Sequence, residues 1–315
     1  MNNIPLQTTC VGRLLIDLPK GGATAWHQQF DRAEVRRLEN SAHSSDAFWS
    51  LVEKRRAQLE SQSHRKESSL LTAYKVVGAN AALLLHRESE IDDFGYDLDR
   101  YVWLGQHGYL FLTKAIPNEQ RELLDSYAKI FSHLAASESS DNIGKPGFCI
   151  DRALVIGNVG SILASVDSSI PDWKGVSLSI GTSERGAAST LGEELAVSPF
   201  ADLAQAEQEH DLMKGDAPGD VRAFTTLLRR ERNAAGYPGQ ETGYRVTFNN
   251  ERLAYQLEWQ THLADGGSSE RPAISVSLSF SDSSANENPN LLPPSEEKLF
   301  ALWNAVLGSI RLRPG

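Results

Sequence analysis

The sequence predicts an α+β protein of two domains, each a mainly antiparallel β-sheet packed with helices. Its 315 residues exceed the roughly 100 to 200 that one core usually serves. Short apolar runs bounded by Gly, Pro and polar turns recur along the chain, and only a few stretches carry helical spacing. Each half also reads as strand, helix, four strands, helix, with one of the two cysteines in its opening strand, which suggests a duplicated architecture. The expected division is an N-terminal domain over 1–136, a linker over 137–145 and a C-terminal domain over 146–315.

In the first half, Val11 to Leu18 is an apolar run closed by Pro19 and Gly21-Gly22, which predicts one core strand. Phe48, Leu51, Val52 and Leu59 recur at helical spacing behind Asp46, a candidate N-cap, and the helix is expected to end near His64. Leu70 to Val76, Ala81 to His86, Asp97 to Leu104 and Tyr109 to Lys114 read as an antiparallel meander. Asn118 opens a second helix whose stripe is Leu123, Tyr127, Ile130 and Leu134. Ser137 to Asn142 lacks apolar periodicity and ends at Gly144, hence the linker.

The second half opens on a Pro146-Gly147 turn and a strand over Phe148 to Ile156. Further strands are expected over Ser161 to Val166 and Gly175 to Ile180, a helix over Leu203 to Met213, and four strands starting from Val221, Tyr244, Leu253 and Ile274. Ile274, Val276, Leu278 and Phe280 alternate with serines, the mark of a half-buried strand. Ser295 caps a last helix with Glu296 and Glu297 in its first turn and Leu299, Leu302, Trp303 and Val306 on its buried stripe.

Composition narrows the function. A formal charge of -10 without clustered cations argues against nucleic acid and suits a basic or neutral protein partner. Lys54-Arg55-Arg56 and Arg229-Arg230 are isolated and read as solvated faces. No apolar run approaches the ~20 residues that span a bilayer, and Met1 to Thr9 has neither the basic n-region nor the apolar h-region of a leader. Cytoplasm and envelope both stay open.

Enzyme signatures are missing from the sequence: no G-x-S-x-G elbow, P-loop, dinucleotide fingerprint or H-E-x-x-H helix occurs. Glu207, Glu209, His210 and Asp211 are too close in sequence to face one another on a helix and read as a solvated face. No catalytic, cofactor or metal residue is assigned. Pro238-Gly239 fits a type II turn, with Glu241 placed to accept from loop amides, and Trp259 is a core residue. Cys10 and Cys149 form either a disulfide closing a loop of about 140 residues or two buried thiols, a choice set by compartment.

These segments resemble the immunity proteins that neutralise phospholipase effectors of bacterial type VI secretion systems, over most of the chain. The positions that carry the resemblance are Gly12, Arg13, Asp17 and Pro19 in the first half. In the second they are Gly147, Phe148, Asp151, Gly236, Gly239, Glu241 and Trp259. The resemblance implies a two-domain, non-catalytic inhibitor without cofactors, binding one lipase effector and protecting the producing cell and its kin. It also implies a periplasmic location. The expected mechanism is a clamp on the lipase near its lid or active-site mouth, with Glu90, Asp92, Asp93 and Phe94 as candidate contacts. The rival readings are an envelope binding or scaffold module with another partner, and an enzyme whose site is assembled from distant residues.

Overall fold

The structure, a computed structural model, describes residues 4–30, 33–38, 44–115, 124, 128–136, 147–157, 162–171, 173–184, 221–249, 252–261, 272–281 and 294–313. In chain order its strands and helices begin with β1 (Leu6–Val11), β2 (Leu14–Pro19), β3 (Thr24–Phe30), β4 (Ala33–Leu38) and α1 (Ser45–Ser61). Then come β5 (Leu71–Val77), β6 (Ala81–Arg87), β7 (Tyr96–Leu104), β8 (His107–Ala115), β9 (Leu134–Ala136), β10 (Phe148–Ile150) and β11 (Ala153–Val155). The rest are β12 (Ile162–Ile170), β13 (Trp173–Glu184), β14 (Val221–Ala234), β15 (Tyr237–Phe248), β16 (Leu253–Thr261), β17 (Ala273–Ser281), α2 (Glu296–Ser309) and β18 (Arg311–Leu312). The molecule is mostly antiparallel β, with two long α-helices among the described residues, so the helical share of the α+β expectation is small.

Packing divides the chain into two compact units: Met1–Trp26 with Leu163–Gly315, and His27–Ile162. The opening hairpin β1–β2 therefore packs with the second half, and β10–β11 with the first.

In the unit formed by His27–Ile162 the strand order is β3-β4-β8-β7-β6-β5. The meander lies where the sequence places it, and β6 is buried along its whole length because both its faces are covered. Ala82 and Leu84 meet Phe48, Val52 and Leu59 of α1 together with Leu70 and Tyr101. Leu83 and Leu85 meet Tyr96, Leu98 and Leu124 on the other side. The N-cap of α1 is Ser44, whose hydroxyl accepts from the Ala47 amide at 3.2 Å; Asp46 sits in the first turn, where its charge favours the helix dipole.

Three expectations in this unit are corrected. β3 and β4 carry a mixed polar pattern and were not anticipated. Ile130–His133 forms a single 3-10 turn, and Leu134 belongs to β9, because pairing with β11 (Leu134 to Val155) outweighs helical spacing. The run from Phe148 to Ile156 is a hairpin, turned by Asp151 and Arg152, the latter in the left-handed region at φ 57°. The body of the Asn118 helix and the segment 137–145 lie outside the described residues.

The other unit repeats the plan with β14-β15-β16-β17-β13-β12 as its main strand order and a small sheet β1-β2-β18. The apolar run from Val11 to Leu18 is not one strand, because Gly12 takes φ 58° and the chain turns back, pairing Val11 with Leu14. β17 pairs with β13 so that Leu278 meets Leu178 and Val276 meets Ile180 on the buried face, with serines opposed on the other. α2 matches its expectation: Ser295 Oγ accepts from the Lys298 amide at 3.4 Å, and Leu299, Leu302, Trp303, Val306 and Leu307 are buried. The proposed helix over Leu203 to Met213, with Glu207, Glu209, His210 and Asp211, lies outside the described residues.

Candidate functional site

The segment Gly236 to Glu241 is built differently from its expectation. Ala235 and Gly236 both have positive φ, 54° and 83°, which makes them a two-residue turn of the type that matches strand twist. Pro238 and Gly239 are not the turn: they already pair in β15 with Asn233 and Arg232. A side chain at Gly239 would lie 2.5 Å from the Gln260 carbonyl oxygen and 2.7 Å from the Trp259 ring, so glycine there admits the buried indole. The core reading of Trp259 holds: it is fully buried, and its Nε1 donates to the Arg232 carbonyl at 2.9 Å.

Glu241 is likewise fully buried, and it takes its hydrogen bonds from side chains instead of loop amides. Arg230 Nε, Arg232 Nη1 and Trp303 Nε1 each donate to it at 2.7 Å. Arg232 also reaches Asn304 Oδ1 at 2.8 Å. Burial pushes the carboxyl up, but these three donors outweigh it and hold Glu241 below the ordinary glutamate range. A carboxylate engaged in this way fastens α2 to β14 and β15; it is not poised to exchange a proton.

A second polar cluster joins α1 to the meander. Buried Asp99 accepts from Arg55 Nε at 3.0 Å and lies 3.3 Å from His86 Nε2, while His86 Nδ1 donates to the Arg87 carbonyl at 2.8 Å. Burial lowers His86 and raises Asp99, yet their mutual contact reverses both, leaving the imidazole above and the carboxyl below its usual range. Both ring nitrogens are occupied by internal partners, so the pair is a structural ion pair. Among the described residues no group of three or more His, Cys, Asp and Glu side chains could hold a metal.

The acidic stretch between β6 and β7 is tied down throughout. Asp92 Oδ1 accepts from the Phe94 amide at 2.8 Å and the Gly95 amide at 3.1 Å, and the Asp92 amide donates to Ser89 Oγ at 3.1 Å. Those backbone bonds lower the Asp92 carboxyl. Asp93 pairs with Arg65 Nε at 2.9 Å and Lys66 Nζ at 2.6 Å, which hold it well below the carboxylate range. The Asp93 carbonyl accepts from Arg87 Nη1 at 2.8 Å, and the Glu90 carbonyl from the Arg65 amide at 3.0 Å. Of the candidate contacts Glu90, Asp92, Asp93 and Phe94, only Glu90 and Phe94 are exposed.

The remaining singled-out residues hold the framework. Asp17 accepts from Thr8 Oγ1 at 2.7 Å, and its amide donates to Ser309 Oγ at 2.9 Å, linking β2 to α2. The Arg13 carbonyl accepts from the Arg313 amide at 2.9 Å, and Pro19 ends β2. Gly147 has φ 136°, and a side chain there would lie 2.8 Å from the Val155 carbonyl oxygen, directly beside buried Phe148. Asp151 pairs with Arg37 Nε at 2.5 Å, and its carbonyl accepts from Tyr109 Oη at 2.8 Å. Cys10 and Cys149 are buried, and both are disulfide-bonded.

Two family models cover nearly the whole chain. The model described as Tle cognate immunity protein 4 N-terminal domain matches residues 7–136, and that for the C-terminal domain matches 144–315. The chain belongs to the Tle cognate immunity protein 4 family.

Solved structures share its fold at low identity. The structure described as the Tle4–Tli4 complex contains a chain 20% identical to this one, with a TM-score of 0.79, covering 100% of this chain and 99% of its own. The apo immunity protein TplEi of the type VI secretion system of Pseudomonas aeruginosa is also 20% identical, with a TM-score of 0.77 and coverage of 98% and 97%. The same protein in complex with an "L" peptide is 19% identical, with a TM-score of 0.72 and coverage of 98% and 99%. No curated protein matches.

Glu241, Gly239, Trp259, Gly147 and Asp151 build the scaffold. Sequence reasoning missed the partners that make Glu241 stable in the core, because Trp303 lies 62 residues away from it. The loop that carries Glu90, Asp92, Asp93 and Phe94 also carries Ile91, an isoleucine between acidic neighbours.

Proposed function

We propose that this member of the Tle cognate immunity protein 4 family binds a Tle-type phospholipase effector and blocks it by occluding its lid or active-site mouth, protecting the producing cell and its kin. The observation that supports this most is the match of both family domains, reinforced by full-length likeness to the chain seen in a Tle4–Tli4 complex. The protein acts by binding and carries out no reaction of its own. That reading agrees with carboxylates and histidines whose polar atoms are spent on internal ion pairs. Its site of action is the periplasm, an oxidising compartment in which disulfide-bonded cysteines persist.

Titration of the purified protein into the phospholipase encoded beside its gene, reading binding and lipid hydrolysis together, tests the proposal. Stoichiometric loss of hydrolysis with tight binding is expected. Binding without loss of hydrolysis would make the protein a scaffold instead of an inhibitor.

A further inference from the structure

Five large apolar side chains are exposed among the described residues, and the two most exposed stand three positions apart on one loop: Ile91 at 72% and Phe94 at 80%. Two large apolar tips exposed together on one loop and rimmed by polar residues are the kind of surface that marks an interaction site. From this pair we infer that Ile91 and Phe94 are the apolar anchor by which the protein engages its effector, entering a shallow apolar pocket rimmed by basic groups. The inference rests on the functional reading above and adds the surface that carries it.

The loop is prepared for such a role. Its backbone is fixed from inside by Asp92, from β6 by Arg87, and from the segment after α1 by Arg65 and by His64, whose Nε2 lies 3.0 Å from the Asp92 carbonyl oxygen. The Gly95 amide donates to Asp92 Oδ1 at 3.1 Å, which closes the loop's return. An anchor already held in place loses little conformational freedom on binding, which favours affinity. Phenylalanine is among the side chains enriched at interface cores, and a few such anchors carry most of the energy of an interface.

Charge points to the chemistry of the pocket's rim. Asp93 is neutralised by Arg65 and Lys66, Glu67 by Arg87, and Glu88 by Lys114. Glu90 is exposed beside Ile91, and Asp92 spends its hydrogen bonds on amides, so the carboxylates Glu67, Glu88, Glu90, Asp92 and Asp93 outnumber the cations Arg65, Lys66, Arg87 and Lys114 around the two apolar tips. A basic rim complements that excess and speeds encounter with a protein of net charge -10.

The test uses the full chain and the purified phospholipase encoded beside its gene. An I91S/F94S double variant, shown folded by circular dichroism, should bind at least about tenfold more weakly than wild type. Val76→Ser, at the 50% exposed Val76 of β5, should bind unchanged. Glu90→Lys should slow association at low salt. Wild-type affinity in the double variant, with wild type binding and inhibiting normally, would overturn the anchor and leave the immunity reading intact. No binding by wild type would overturn both. Self-association of wild type that the double variant loses would assign the loop to a second copy of this chain and overturn the inference.

Discussion

At Glu241 the cost of burying a charge is met by three donors arriving from two directions, Arg230 and Arg232 on β14 and Trp303 on α2. Removing the carboxylate strands Arg232, which is largely buried, and leaves the Trp303 indole N–H without its acceptor. Glu241→Ala should therefore cost about 3 to 5 kcal/mol, read from urea midpoints at neutral pH. The pH dependence follows from the sign of the shift. A depressed folded value means the stabilisation is present above the ordinary glutamate value of about 4.3 and is lost as pH falls through the lowered value. Wild type should lose stability over that acid range by a component that Glu241→Ala lacks, and parallel acid limbs in the two proteins would refute the assignment. Here the sequence singles out the right residue and the wrong partners, because strand pairing and helix docking, not chain proximity, bring the donors in.

At the scale of elements, the contrast between two glycines isolates packing from propensity. Gly239 in β15 faces the Trp259 ring and the Gln260 carbonyl, so Gly239→Ala forces both aside and should destabilise by about 1 to 3 kcal/mol. Gly308 in α2 has open space around it, so Gly308→Ala should stabilise by up to about 1 kcal/mol through helix propensity alone. Thermal midpoints moving in opposite directions are expected, and a shared direction would refute the packing account. The same physics explains what was legible. β13, β17 and α2 could be read because one face of each is buried, which imposes strict alternation on the strands and a single apolar stripe on the helix. β6 also stood out, since burial on both faces makes it continuously apolar. β3 and β4 hold half-exposed polar residues, and Leu134 obeys a helical spacing that its pairing with β11 overrides. The hairpins at Gly12-Arg13 and Asp151-Arg152 were hidden because a left-handed residue lets the chain reverse within two positions, too short an interruption to break the flanking apolar runs.

For the whole molecule, each half of the chain opens with a hairpin that carries a cysteine, β1–β2 with Cys10 and β10–β11 with Cys149. The chain has two cysteines, both disulfide-bonded, and the expectation to be tested is that Cys10 pairs with Cys149. A bridge closing a loop of about 140 residues restricts the unfolded chain and stabilises by up to about 5 kcal/mol in the chain-entropy account. A C10S/C149S variant should unfold at lower denaturant than wild type, and wild type under reductant should move to the same midpoint. Protein recovered from the cells that produce it should resist thiol alkylation in denaturant until reduced, and should run as a monomer without reductant. A reductant-sensitive dimer would place the bond between chains, and ready alkylation would show free thiols. Ready alkylation would also withdraw the support that the cysteines lend to an oxidising compartment, since a bond absent from the mature protein says nothing about where it works.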